Sequence, residues 1–279
     1  MKIAKNRSGT SQGRRRRAWI SMLSAALLLG GVLGSAAPAN AVLTGDICEF
    51  AVIIAVRGTN APAGTGSVHS GRLYNSGGYG AELDQIPIHA AAAWPAYYVK
   101  GLNYPAGGAN YPVSVASGMN TLVQELNWLA NQCGQYGPTV FLMGHSQGGD
   151  VVLNAFANPS LSAKARQSIR GIAVFGDPSY ARNQPINAAG SQNGSSGLFS
   201  RNQTALNTLN GFKYWGYPPN SNTVGYQQQI RSYCFEGDAY CDSTNPGGQT
   251  ALNIHNSYEA NNKVIEAFRW FEYLTTDFN

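Results

Sequence analysis

The chain has 279 residues, of which 43% are hydrophobic and 12% charged. That balance excludes a disordered tail, a coiled coil and a disulfide miniprotein, and it predicts one core-bearing domain. The formal charge of +5 suggests an acidic partner, but residues 1–41 hold seven of the 19 bases (Lys2, Lys5, Arg7 and Arg14 to Arg17) and no acid, so 12 bases face 14 acids beyond them, a net of −2, and no nucleic-acid partner is expected.

Met1 to Arg17 is basic, Ala18 to Leu33 is apolar, and Ala39-Asn40-Ala41 places small residues where a signal peptidase needs them. Residues 1–41 therefore read as a signal peptide cut after Ala41, and the product as secreted and extracellular. The apolar core of about 16 residues falls short of the ~20 that span a bilayer, and no later stretch is long or apolar enough, so no stable membrane span is expected. Arg16-Arg17 leaves both general and twin-arginine export open. Residues 42–279 form the expected single domain.

Phe50 to Val56 is an unbroken apolar run ending at Arg57-Gly58-Thr59, the form of a strand buried on both faces of a parallel sheet. Thr139 to Met143, Ile172 to Phe175 and Ile230 to Phe235 repeat that form, each running into a glycine-bearing turn. Helical patterns lie between and after them, over Ala81 to Trp94, Met119 to Gln132, Gly149 to Ala157 and Glu259 to Leu274. Alternating strands and helices predict right-handed crossovers and a three-layer α/β sandwich with a central, mainly parallel sheet. In such sheets the site lies at the carboxyl ends of the strands. The stretch 183–229, rich in Asn, Gln, Gly and Ser, reads as a long insertion on the surface. Its Phe212, Tyr214, Trp215 and Tyr217 could form an acyl-binding wall over the site or pack as a satellite cluster.

Export to an oxidising compartment makes four cysteines an even disulfide set with three possible connectivities. Pairing Cys234 with Cys241 locally leaves Cys48 with Cys133; the longer loop then contributes ~4.6 kcal/mol and the shorter ~2.5 kcal/mol on the chain-entropy model. No C-x-x-C pair is present, so no metal site is expected.

Gly144-His145-Ser146-Gln147-Gly148 follows a buried strand and opens a helix, the setting in which G-x-S-x-G presents a nucleophilic serine. A hydroxyl needs a base to take its proton and an acid to hold that base in the right tautomer. His69 and His89 precede Ser146, and His145 sits inside the elbow, pointing away from the nucleophile, so His255 is the candidate base. Asp177 and Asp238 both stand at strand ends between Ser146 and His255. Asp238 is favoured because the Cys234 to Cys241 loop would hold it rigidly, whereas Asp177 before Pro178 reads as a turn or cap. The oxyanion needs two donors: the backbone N–H of Gln147 and a group on Thr59 after the first strand.

These residues resemble the cutinases and their relatives, the acetylxylan esterases and actinobacterial cutinase-like lipases. The likeness rests on Cys48 nine residues before Arg57-Gly58-Thr59, on Gly144 to Gly148, on Cys234, Asp238 and Cys241 as C-x-x-x-D-x-x-C, and on the late His255. It covers most of Cys48 to Leu274. It implies an α/β-hydrolase-type fold, a triad of Ser146, Asp238 and His255, oxyanion donors at Thr59 and Gln147, and bridges joining Cys48 to Cys133 and Cys234 to Cys241. The departures are His145, where a tyrosine is often found, and the long segment from Asp177 to Cys234. The expected activity is cofactor-free hydrolysis of carboxylic esters of a polyester, lipid or acylated polysaccharide, by a monomer. The same triad could instead serve an envelope acyltransferase, and an inert cell-wall protein on this fold is the third reading.

Overall fold

The computed structural model describes residues 47–93, 97–135, 137–217, 224–244 and 247–276, so the expected signal peptide lies outside the described residues. The first part of the chain forms strand β1 (Ala51–Val56), a hairpin of β2 (Thr65–Val68) and β3 (Leu73–Ser76), helix α1 (Ile86–Ala92) and strand β4 (Tyr97–Gly101). Helix α2 (Tyr111–Ala130) leads into β5 (Val140–His145), α3 (Gln147–Ala157), α4 (Ala163–Ser168) and β6 (Ile169–Phe175). Then come α5 (Gln203–Asn210), a second hairpin of β7 (Lys213–Gly216) and β8 (Gly225–Gln228), strand β9 (Ile230–Tyr233), and helices α6 (Gln249–His255) and α7 (Lys263–Thr276).

Five strands form the central sheet in the order β4-β1-β5-β6-β9. Every pairing in it is parallel. Successive side chains of a strand point to opposite faces, and β1 fills a core on each. Val52, Ile54 and Val56 pack with Leu142 against Leu122 and Leu126 of α2 and Val151 of α3. Ile53 packs with Phe141 and Met143 against Ile86 of α1 and Phe268 and Phe271 of α7. Each such side chain contributes roughly 1.5–3 kcal/mol, and a one-residue slip would exchange the faces, so β1 and β5 are firmly registered. The result is the three-layer α/β sandwich that the apolar runs predict.

The chain leaves β1 towards β4 on one side and builds β6 and β9 on the other, so a topological switch point lies between β1 and β5, the place where α/β sheets open a crevice. Strand β4 was not legible as an apolar run, because its edge position leaves Tyr98 and Val99 only partly buried. Helix α2 begins at Tyr111, eight residues ahead of Met119; Pro112 falls in the first turn, where its missing N–H removes no helical bond. The helix expected from Ala81 is a short turn of 3-10 helix followed by α1, and Trp94 lies outside the described residues. Helix α7 starts at Lys263, after a turn that includes Asn262 at φ 61°.

The stretch 183–229 is more deeply built in than its composition suggests. The Ser232 amide donates to Ile186 O at 2.8 Å and the Ala188 amide to Ser232 O at 2.9 Å, which ties residues 186–188 to β9. Leu209 and Tyr214 are buried, and Phe212 packs on Phe156 with ring centroids 4.4 Å apart. Disulfides join Cys48 to Cys133 and Cys234 to Cys241, the pairing implied by the family resemblance.

Candidate active site

Strand β5 lies between β1 and β6 and ends at the switch point. The Ser146 amide donates to Phe175 O at 2.8 Å, after which the chain turns sharply into α3. Ser146 has φ 55° and ψ −125°, a backbone conformation that costs a non-glycine residue ~1–3 kcal/mol and persists only where the surroundings enforce it. A Cβ on Gly148 would overlap the Val56 carbonyl, and one on Gly144 would overlap the Gly148 carbonyl. Both flanking positions therefore accept only glycine, and the serine side chain is left at the head of α3.

The second half of the site comes from β9 and α6. Asp238 follows β9 inside the Cys234–Cys241 loop and is fully buried. Its Oδ1 and Oδ2 lie 3.0 and 2.9 Å from His255 Nδ1. The amides of Tyr240 and Cys241 donate to Oδ1 at 2.8 and 3.0 Å, and the Tyr258 hydroxyl donates to Oδ2 at 2.7 Å. Burial pushes the Asp238 carboxyl up, but the hydrogen bond and charge of His255, with the two amides, outweigh it and hold the group below the usual carboxylate range. Asp238 is thus an ionised acceptor. Burial raises the Tyr258 phenol well above its ordinary value, so Tyr258 stays a donor.

The loop after β1 carries Thr59. Arg57 is 3% exposed, and its guanidinium donates to the carbonyls of Ala61 (3.0 Å), Leu102 (3.1 Å) and Tyr104 (2.6 Å). The planar fork of Arg suits such multiple contacts, and here it shapes the loop. A chain of side-chain bonds then reaches Thr59. Ser114 Oγ donates to Gln147 Oε1 at 2.8 Å, and Gln147 Nε2 donates to Thr59 Oγ1 at 3.3 Å and to Gly107 O at 3.1 Å. Because Thr59 Oγ1 accepts from Gln147, its own hydrogen remains available to a ligand.

Thr59, Ser146 and His255 line one cavity of about 500 Å³, with Asp238 behind His255 and Gln147 directly after Ser146. Leu198, Phe199 and Leu252 supply apolar walls and Glu82 a carboxyl. Burial pushes the Glu82 carboxyl up, and the Glu259 amide donates to it at 2.9 Å. Of the insertion's aromatic residues, Phe212, Tyr214, Trp215 and Tyr217 do not line this cavity. The wall comes from the polar beginning of the insertion instead, because its backbone is bonded to the site. The Leu198 amide donates to Tyr240 O (3.0 Å) and the Phe199 amide to Pro178 O (2.9 Å). Phe212 and Tyr214 pack into the core, and Trp215 and Tyr217 are exposed.

Asp177 is turned away from His255. Its Oδ1 accepts from the Ser179 amide at 2.9 Å, as in a turn, and its Oδ2 accepts from Arg201 Nη2 at 2.9 Å. The same Nη2 donates to Asp150 Oδ1 at 3.0 Å. Burial raises the Asp177 carboxyl to about 6 despite the guanidinium. His145, which the sequence places away from the nucleophile, is buried with its Nε2 2.8 Å from His255 O. Sequence reasoning missed Tyr258, Glu82 and Arg201. Tyr258 follows His255 by three residues and was within reach of a search for donors to the acid; the other two carry no local signal. No group of three or more side chains placed to hold a metal ion occurs among the described residues.

The family model of cutinase matches residues 47–273. Acetylxylan esterase 2 of Talaromyces purpureogenus is 30% identical over 180 residues, 57% of this chain and 69% of that protein. In fold the chain is similar to the catalytic core domain of acetyl xylan esterase from Trichoderma reesei, with a TM-score of 0.57 and 21% identity over 82% of this chain and 99% of the other. A cutinase-like protein from Cryptococcus sp. gives a TM-score of 0.54 and 19% identity over 79% and 92% of the two chains. The five-stranded parallel sheet, the elbow at its switch point and these likenesses agree: the chain belongs to the cutinase family and is a carboxylic ester hydrolase.

Proposed function

We propose that this protein is a secreted serine esterase that cleaves uncharged carboxylic esters through an acyl-enzyme, with Ser146 as nucleophile, His255 as general base and Asp238 as its orienting acid. One observation carries the reading: a buried carboxylate lies 3.0 and 2.9 Å from Nδ1 of a histidine that shares a cavity with a strained elbow serine. A carboxylate only accepts, so Nδ1 carries the hydrogen and Nε2 keeps its lone pair. Nε2 takes the Ser146 proton as Oγ bonds to the carbonyl carbon. The C–O bond to the alcohol then breaks, and the leaving oxygen receives that proton. Water repeats the sequence, releasing the acid and restoring Ser146. The oxyanion is held by the backbone N–H of Gln147, at the positive end of α3, and by Thr59 through its N–H and hydroxyl.

The walls of Leu198, Phe199 and Leu252 beside the Glu82 carboxyl favour a neutral, apolar acyl group. Such groups occur in acylated polysaccharides, lipids and polyesters, and the Talaromyces relative is named for acetylated xylan. Two disulfides are consistent with an oxidising compartment. In this reading residues 1–41 direct export and residues 42–279 work as one domain; amino-terminal sequencing of the exported protein should begin at Val42. Ser146→Ala should abolish turnover of a nitrophenyl acetate and labelling by an organophosphate while leaving Tm unchanged. Turnover at the wild-type rate would end the assignment. Asp238→Asn should lose about 10⁴-fold in kcat, and an equal loss in Asp177→Asn instead would transfer the acid's role.

A further inference from the structure

We infer that His145, the residue ahead of Ser146 in the elbow, is a positioning residue for the general base: its imidazole fastens the last carbonyl of α6 and thereby sets where His255 sits relative to the nucleophile. The inference deepens the reading above and rests on it. His145 Nε2 lies 2.8 Å from His255 O. A carbonyl only accepts, so Nε2 carries the hydrogen and the tautomer is determined.

This bond meets a specific need of α6. The last four carbonyls of any helix lack intrahelical partners, and α6 has only seven residues, ending on His255 itself. Its capping residue, Asn256, has φ −106° and ψ 41°, so no left-handed cap turns back to close the helix. The donor comes instead from the opposite side of the site. His145 ends β5 and is paired in register with Phe175 of β6, inside the most constrained part of the sheet. A short helix at the periphery is thus tied to the strand that carries the nucleophile, and the tie ends on the backbone of the base.

The surroundings leave the His255 ring little freedom once that carbonyl is fixed. The His145 ring lies 4.7 Å away on one side, Tyr240 meets the ring edge-on at 4.5 Å, and the Asp238 carboxylate holds Nδ1. A Cβ built on Gly176 would come within 2.8 Å of the imidazole, so the floor is closed as well. Burial and the charge of His255 lower the His145 pKa to about 3. His145 therefore donates as a neutral group and does not repel the imidazolium that the reaction forms at His255. Misplacement of a catalytic group by about 1 Å costs on the order of 100-fold in rate, so a single bond of this kind can govern turnover.

The test compares His145→Phe, which keeps the ring and removes the donor, with His145→Gln, which restores an N–H at similar reach. For a nitrophenyl ester, His145→Phe should lower kcat and the rate of organophosphate labelling by about 10- to 100-fold, with KM changed by less than about twofold. His145→Gln should recover kcat to within about fivefold of wild type. Tm is followed in parallel: a merely structural role would lower Tm and leave kcat per labelled active site unchanged. If His145→Phe does not fold, His145→Asn, whose N–H falls short of the carbonyl, takes its place against His145→Gln. Wild-type kcat in the donor-free variant, or equal losses with and without the donor, would overturn the inference. Ser146→Ala and His255→Ala separate the two levels. If both are inert while His145→Phe turns over normally, the positioning role alone fails; if either retains full activity, the triad itself fails.

Discussion

Arg201 offers the sharpest quantitative check on how the cavity wall is fastened. Its side chain is 3% exposed and its Nη2 lies 2.9 Å from Asp177 Oδ2 and 3.0 Å from Asp150 Oδ1. At an effective dielectric of ~20, each contact amounts to ~5–6 kcal/mol of Coulomb energy, set against several kcal/mol for dehydrating the guanidinium. Arg201→Met removes the cation and leaves two buried carboxylates facing each other, so the expected loss is about 3–5 kcal/mol. That is a large share of the ~5–15 kcal/mol that holds most domains folded. The loss should depend on pH with a definite sign. Burial already raises Asp177 to about 6 in the presence of Arg201, and without the guanidinium it is raised further. A carboxyl whose folded pKa exceeds its unfolded value of ~3.9 contributes stability at low pH that is lost as the pH rises through the folded pKa. Urea denaturation of the variant at pH 5 and pH 8 should therefore give the larger deficit at pH 8. A deficit below about 1 kcal/mol at pH 8, or the same deficit at both pH values, would refute the reasoning. Adding Asp150→Asn and Asp177→Asn to Arg201→Met should recover much of the loss, because neutral amides are far cheaper to bury than carboxylates.

Three further outcomes follow from the same geometry. Replacing Cys234 and Cys241 by serine should cost ~2.5 kcal/mol in stability, yet kcat should fall by more than tenfold because the loop also presents Asp238 to His255; a stability loss with kcat intact would separate the bridge from the site. Phe199 touches the Tyr111 ring at a centroid distance of 4.9 Å and lines the cavity, so Phe199→Ala should raise KM for hexanoyl esters more than for acetyl esters, and an unchanged chain-length profile would remove Phe199 from the acyl path. With the Asp238 carboxyl held below the usual range, it stays ionised wherever an imidazole titrates, so the acid limb of kcat/KM should fall with a slope of one proton; a two-proton limb would mean that Asp238 titrates with the base.

The central fold was legible because its determinants are local. Strands buried on both faces have to be continuous apolar runs, as β1, β5 up to Met143 and the Ile172–Phe175 part of β6 are, whereas β9 at the sheet edge admits Arg231 and Ser232; the elbow needs glycine on either side of its serine, and it has them. The edge strand β4 escaped because half-burial of Tyr98 and Val99, with Lys100 buried but donating to Asn75 O, leaves no period to detect. Within the site, chain order singled out Ser146 and His255, and the Cys234 to Cys241 loop favoured Asp238 over Asp177, but the partners that separate the two carboxylates carry no sequence signal. One faces an imidazole and the other a guanidinium from the insertion. That guanidinium, like the bond from the Glu259 amide to Glu82 across 177 positions, arises from packing between distant segments and leaves no motif behind.

The same division explains how the site keeps its shape. Ser146 needs no dedicated fastening, because its strand lies inside the sheet and its amide bonds across to Phe175. Asp238 and His255 belong to a loop and a seven-residue helix beyond the sheet's last strand, and each has its own set of ties. Asp238 has the disulfide, two amides and Tyr258; its loop is further held by Asp242, which accepts from Ser195 Oγ at 2.6 Å and from the Gly237 amide at 2.8 Å. His255 has Asp238 on its ring and His145 on its carbonyl. Ser195 lies three residues before Leu198, so the bond to Asp242 and the amide bond from Leu198 to Tyr240 couple the cavity wall to the Asp238 loop as well. The insertion is thus part of the framework that holds Asp238 against His255, and shortening it between Ser195 and Arg201 would remove the cavity wall and loosen the loop that carries Asp238 in one step.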